Sequence, residues 1–324
     1  MKFGLTPREW GDFIDDALLE ARLAHGVGFD SIFIEEHHQN PSYLPSPIMA
    51  LASIGSSVPE MYLGTAVAIL PLYHPIRFSE DVSVLTQVAK GKVILGVSVG
   101  YRETDFQNLG IALKERGARM DEALEILNRV FSGGKVSFNG RFYKFSDYTL
   151  EPKPYGGRRP EVWIGGWKEA AISRAAKHGD YWFPGPVGTF KVVEDALNLY
   201  KEKLNSYGKE FRGFPLMRDA HVAETDDRAL QNVKFAVQKK YEEDYSSSGH
   251  PLVGGKSAQV EEWVYDRFMI GSPDTVIETI ERFRKQGCIH LVLRMAMPYI
   301  RLEDTLEAIK LFGEKVIPYF KTAN

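Results

Sequence analysis

Residues Ile34–Asn40 read IEEHHQN: two carboxylates, then two histidines, directly behind the apolar run DSIFI. An imidazole gains and loses its proton near neutral pH, and a neighbouring carboxylate favours the charged ring. Leaving such groups buried and unpaired is costly, so these four are either satisfied by partners or border a site. Successive side chains of an extended strand point to opposite sides. Glu35 and His37 therefore share one face, and Glu36 and His38 the other. That arrangement makes one metal gripping both histidines awkward. It suits proton transfer by a histidine whose neighbouring carboxylate orients it or raises its pKa.

Two further stretches carry chemistry suited to an anion. IGGWKEAA (Ile164–Ala171) is a strand ending in Gly165-Gly166 and running straight into a helix. A helix N-terminus offers free N–H groups to an anion, and Lys168 adds charge; a tight turn with a surface lysine reads equally from the same residues. KERGARMDEAL (Lys114–Leu124) puts Arg116 and Arg119 near a helix start, where cations oppose the helix dipole. Each has two partners open to it: an external anion, or Glu115, Asp121 or Glu122. His74, in LYHPIR, reads as a loop support. GGKS (Gly254–Ser257) lacks the first glycine of a phosphate loop, since His250 stands there, and reads as surface loop.

These residues sit at the ends of short apolar runs: MKFGLT (Met1), DSIFIEE (Asp30), MYLGTAVAIL (Met61), KVILGVSVG (Lys92), EVWIGG (Glu161), DYWFPG (Asp180), FPLMRDAHVA (Phe214) and HLVLRMAM (His290). Continuous apolarity suits strands covered on both faces of a parallel sheet. Helical spacing follows them, as in Phe13–Ala24, Arg119–Val130 and Leu302–Phe320. Eight strand–helix units predict a closed (β/α)₈ barrel, one domain over residues 1–324, with its site at the C-terminal ends of the strands. GVSVG (Gly96–Gly100) is not the GxGxxG of an open dinucleotide-binding sheet. Gly133–Phe145 alternates around Asn139-Gly140 and predicts a β-hairpin insertion over 133–145. Residues 245–261, polar and glycine-rich, predict a mobile lid loop.

The chain has 324 residues, is 44% apolar and 26% charged, and carries net charge −3. It is long enough for a large core, and no basic tract marks a nucleic-acid surface. The single cysteine, Cys288, excludes an internal disulfide. With no apolar signal core at MKFGLTPREW and no membrane-length apolar run, the expectation is a cytoplasmic protein off the membrane.

Tyr62–Gly110 (YLGTAVAILPLYHPIRFSEDVSVLTQVAKGKVILGVSVGYRETDFQNLG) closely resembles the matching stretch of the bacterial luciferase-like flavin-dependent oxidoreductases, as do FDSIFIEEHHQN, EVWIGGWKEAAISRAAKHGDYW and the C-terminal IGSPDTVIETIERFRKQGCIHLVL. The resemblance covers nearly the whole chain and is weakest from Gly185 to Asp266. It implies a usually dimeric barrel that takes reduced FMN, or an 8-hydroxy-5-deazaflavin coenzyme, and acts on a small organic substrate. By position, His37 matches a proton-handling histidine beside the flavin, with Glu35 sharing its face. Ala66 and Val67 match a non-proline cis peptide under the ring. Ser98 and Gly100 match flavin-lining positions. Arg119, Gly166, Trp167 and Lys168 match the phosphate cradle. Luciferase-type members commonly carry an arginine where this chain has Val99, a departure shared with deazaflavin-dependent relatives. Those relatives tend to have Asp-His-aromatic where this chain has Glu36-His37-His38. The resemblance favours an FMN-dependent monooxygenase using O2 and a separate flavin reductase. The alternatives are deazaflavin-dependent hydride transfer without oxygen, and a flavin-binding barrel without turnover.

Overall fold

The structure, a computed structural model, describes residues 1–245 and 266–322. Its main sheet follows the apolar runs: β1 (Lys2–Thr6), β2 (Ser31–Ile34), β3 (Tyr62–Ile69), β4 (Val93–Ser98), then, after a hairpin of β5 (Val136–Asn139) and β6 (Lys144–Tyr148), β7 (Glu161–Gly165), β8 (Tyr181–Phe183), β9 (Phe214–Val222), β10 (Met269–Gly271) and β11 (Cys288–Arg294). The order around the sheet is β10-β9-β11-β1-β2-β3-β4-β7-β8, and the paired strands are parallel. Between β8 and β9 the ring is drawn together by Met217 N–H donating to the Pro184 carbonyl at 3.1 Å. The curled parallel sheet with helices outside it is a (β/α)₈-barrel-like fold. β10, absent from the sequence expectation, is a short strand added to the outer edge of β9.

Parallel neighbours need crossovers, and helices supply them: α1 (Phe13–Gly26), α2 (Pro47–Gly55), α3 (Pro75–Val88), α4 (Glu103–Asn108), α5 (Arg116–Phe131), α6 (Glu169–His178), α7 (Phe190–Ser206), α8 (Asp226–Tyr245), α9 (Pro273–Lys285) and α10 (Leu302–Leu311). After α10 a π turn, Phe312–Val316, leads into α11 (Ile317–Thr322). The expected lid, 245–261, lies beyond Tyr245 outside the described residues. Among the described residues no helix is long and apolar enough to cross a membrane.

The inward strand positions form their own apolar cluster: Phe33, Ala66, Ile94, Trp163, Phe183, Met217 and Val292. Phe33 stacks on Trp163 with centroids 5.5 Å apart. Beside them His290 Nε2 pairs with Ser31 Oγ at 2.8 Å; burial holds that imidazole neutral, pushed down to about 3. This cluster plugs the barrel, so a ligand can enter only above it, at the C-terminal end of the strands. The hairpin packs on α5. Glu122 accepts N–H groups from Arg141 at 2.8 Å and Phe142 at 3.0 Å, and Arg119 lies 4.5 Å from the Phe142 ring centroid.

Glu20, on α1, is fully buried and accepts the Arg8 N–H at 2.6 Å. Burial pushes its carboxyl up from 4.5 to about 7, with Arg8 opposing. The folded protein thus keeps a proton that the unfolded chain releases, and stability falls as pH rises from about 4.5 to about 7, by roughly 3 kcal/mol for a shift of that size. Glu20→Gln is expected to flatten this slope in urea melts between pH 5 and 7.5. An unchanged slope would assign it to other groups.

Candidate functional site

Phe33, Met217 and Val292 belong to the inner plug, and two residues further along each strand the same face carries a charge: Glu35 just past β2, Asp219 on β9 and Arg294 at the end of β11. The three meet. Arg294 donates through Nη2 to Asp219 Oδ2 at 3.0 Å, with Nε on Oδ1, and through Nη1 to Glu35 Oε2 at 3.1 Å. Tyr241, on α8, donates its hydroxyl to Asp219 Oδ2 at 2.6 Å. All four are buried. Charge-assisted, partly bidentate bonds of this kind are the strong ones in a protein interior.

The histidines lie on the loop leaving β2. His37 is half-buried; its N–H donates to the Leu44 carbonyl at 3.2 Å, and its ring lies 4.2 Å, centroid to centroid, from the Tyr43 ring. Lys240 of α8 donates to the Tyr43 hydroxyl. Glu9, just past β1, accepts the Glu35 N–H at 2.8 Å and the Leu44 N–H at 3.4 Å. Burial and the Glu35 charge push the Glu9 carboxyl well above the usual range, with the two backbone bonds and Lys240 opposing. On the opposite face Glu36 joins His38 Nε2 at 2.9 Å and accepts the Ile69 N–H at 2.8 Å. The Glu36 hydrogen bond raises the His38 pKa against the effect of burial. Glu35, on the face expected for His37, directs its carboxylate to Arg294.

Across the mouth the rim is built of small residues. The Ala66–Val67 peptide is cis. A Cβ on Gly96 would run into the Thr65 carbonyl oxygen, so only glycine lets β4 approach β3 here. One on Gly165 would lie 3.5 Å from Val67 Cγ1 and 3.7 Å from Ser98 Cβ, which places Val67, Ser98 and Gly165 around one spot. Gly100, at φ +71°, donates its N–H to Ser98 Oγ at 3.3 Å. One half of the mouth is thus charged and hydrogen-bonded, and the other small and apolar.

The residues expected to hold a phosphate lie at the starts of two helices, α5 and α6, and Arg119 packs on the hairpin ring of Phe142. Gly166 gives its carbonyl to Trp182 Nε1 at 2.8 Å. Trp167 stands edge-on to Trp182, centroids 5.7 Å apart, and lies so close to Gly188 that no side chain fits there. Lys168 is exposed at the N-cap of α6. Arg119, one turn into α5, donates to Glu115 Oε2 at 3.0 and 3.1 Å, the internal partner the sequence left open. Arg116 donates to the Leu113 carbonyl at 2.9 Å. Sequence reading missed Glu9, Tyr43, Asp219, Lys240 and Arg294. The available signal was a charge inside an otherwise apolar strand: Arg218-Asp219 in FPLMRDAHVA and Arg294 in HLVLRMAM.

The Luciferase-like monooxygenase family model matches residues 6–290, and the chain belongs to that family, whose members are monooxygenases and oxidoreductases. It is similar to an F420-dependent glucose-6-phosphate dehydrogenase of Microbacterium testaceum, 24% identical over 91% of this chain and 90% of the relative. Among solved structures it resembles a monooxygenase from Streptomyces bottropensis (TM-score 0.86, 22% identity, 99% of this chain and 100% of the other). It also resembles the oxygenating constituent of 3,6-diketocamphane monooxygenase of Pseudomonas putida, solved with FMN (TM-score 0.83, 20% identity, 98% of each chain). The chain is therefore a flavin- or F420-dependent oxidoreductase of the luciferase-like type.

Removing Arg294 strands two buried carboxylates. Breaking a buried pair by deleting one partner costs about 3–5 kcal/mol, so Arg294→Leu is expected to lose that much in chemical denaturation. Adding Glu35→Gln and Asp219→Asn to it should restore part of the loss. A loss under about 1 kcal/mol, the surface-pair scale, would mean that the network does not hold the mouth.

Proposed function

We propose that the protein is an FMN-dependent monooxygenase acting on a small organic substrate with O2. The observation that carries the reading is the divided mouth: the small-residue rim of Ala66, Val67, Ser98 and Gly165 on β3, β4 and β7, and beside it the loop that leaves β2 and bears His37. A planar ring system would suit such a rim, to which Gly96 and Gly165 add no side-chain volume. Gly100 completes the rim beyond Ser98. The N–H groups of Glu169 and Ala170 at the start of α6, together with Gly166, Trp167, Lys168 and Arg119, would take the phosphate. Arg119 would exchange Glu115 for it. When bound, reduced FMN supplies the electrons that activate oxygen. The chain's own residues position it and exclude water. The aromatic plug closes the barrel from below, His37 holds or moves a proton at the mouth, and Glu35, fixed on Arg294, sets the charge beside it. The chain shows no dinucleotide-binding turn, so a separate reductase would supply reduced flavin, and the protein would act as a homodimer.

A second reading, deazaflavin-dependent hydride transfer, is favoured by two features. By the resemblance, Val99 stands where luciferase-type members commonly carry an arginine, and Arg119 is engaged with Glu115. Oxygen consumption separates the two. With reduced FMN and substrate, an oxygen electrode is expected to record uptake matched to product. Substrate turnover with the deazaflavin and no uptake would overturn the proposal. Arg119→Ala is expected to weaken FMN binding by about 1.5–3 kcal/mol, the scale of a hydrogen bond to a charged group, and to leave riboflavin, which has no phosphate, unchanged. Equal losses would remove Arg119 from the phosphate site.

Loss of a general acid or base slows reactions roughly 10²–10⁴-fold. His37→Ala is expected to fall in that range with flavin affinity and melting temperature retained. His38→Ala should do the reverse. Because Glu36 raises the His38 pKa, its stabilisation is full below the unfolded value of 6.5 and disappears as pH rises through the raised folded value. The His38→Ala destabilisation should therefore be larger at pH 6 than at pH 9. Normal turnover by His37→Ala would end its proposed role.

A further inference from the structure

We infer that Glu9 is the positioning residue for His37, acting through two backbone N–H groups without touching the imidazole. The inference rests on the proposed role of His37. The loop that carries both histidines runs from Glu35 to Leu44, and Glu9 bonds both its ends. Oε1 accepts from Glu35 N at 2.8 Å and Oε2 from Leu44 N at 3.4 Å. Leu44 in turn accepts the His37 N–H at 3.2 Å. The chain of contact is therefore Glu9 to Leu44 to the His37 backbone, with Glu35 fixing the entry to the loop. Tyr43, next to Leu44, lies against the His37 ring, so holding Leu44 also holds the surface on which the imidazole rests.

The two oxygens of Glu9 are what this task needs. Each accepts one backbone N–H, so one carboxyl group holds two N–H groups a fixed distance apart. A carboxamide of the same shape would turn an NH2 donor toward one of them. Glu9 is 3% exposed and lies beside the Glu35 charge, a costly place for a carboxylate. An apolar residue would avoid that cost but leave two N–H groups unpaired, which is itself penalised in a buried loop. The loop has little regular structure of its own, and misplacing a reacting group by about 1 Å can cost roughly a hundredfold in rate.

The test uses the full chain labelled with ¹⁵N and with ¹³C in its histidines. In the wild type, the Glu35 and Leu44 amides should exchange slowly with solvent deuterium, although both lie outside strands and helices. In Glu9→Gln, Leu44 should lose its protection and the His37 ring signals should shift and titrate at a changed pH, with the β1 amides unmoved. Turnover should fall about tenfold to a hundredfold, with the FMN dissociation constant and the KM for substrate within about twofold. In a His37→Ala background Glu9→Gln should add less than about twofold, since neighbours acting through one group are not additive. Unshifted His37 signals, or an equal rate loss in both backgrounds, would overturn the inference. If His37→Ala alone turned over normally, the role of His37 would fail, and the ring signals in Glu9→Gln would still decide whether Glu9 positions it. Should Glu9→Gln fail to fold, fast exchange at Glu35 or Leu44 in the wild type would overturn the inference, and protection at both would support it.

Discussion

Arg294 divides its guanidinium between Asp219 on the neighbouring strand and Glu35 two strands away, across β1. A cation so deep is tolerable only if its donors are matched by acceptors of opposite charge. The carboxylates are tolerable for the same reason. The requirement propagates outward. Glu35 must stay at the mouth for the pair to exist, so the start of the histidine loop is fixed. Asp219 also takes the Tyr241 hydroxyl, so α8 is docked onto the same cluster. Lys240, the preceding residue, reaches Tyr43 and the surface against which His37 rests. One buried charge thus sets the geometry of three separate segments.

The opposite half of the mouth is governed by a different constraint, the absence of side-chain volume. Gly96 permits β3 and β4 to approach where the Ala66–Val67 peptide lies, and Gly165 leaves open the space bounded by Val67 and Ser98. Polar groups that interact with one another tie the charged half together, while the small half carries little side-chain volume. Between them the aromatic plug of Phe33, Trp163 and Phe183 keeps the barrel shut from below. A ligand in this mouth would meet an apolar surface on one side and fixed charges on the other. That asymmetry suits a planar group with one reacting edge.

Much of the architecture was legible in the chain. Both faces of the strands are covered, so they read as unbroken apolar runs, and the same reading placed IEEHHQN at a strand end. Alternation along an extended backbone put Glu36 and His38 together, and they meet at 2.9 Å. The three-residue strand β10 was not legible because MIG is too short to show a period. Whether Arg119 faced an anion or Glu115 was open in the sequence, since helical spacing allows both; in the structure it pairs with Glu115.

Sequence by itself therefore determined what depends on neighbours along the chain: strand and helix periods, the face each residue takes, and the presence of uncompensated charge near Glu35. Only the tertiary structure decided what compensates that charge. Arg294 lies 259 positions away from Glu35, and Glu9 lies 35 positions from Leu44. A local pattern carries the period of the backbone, whereas the partner of a buried charge is set by which strand ends converge when the sheet closes.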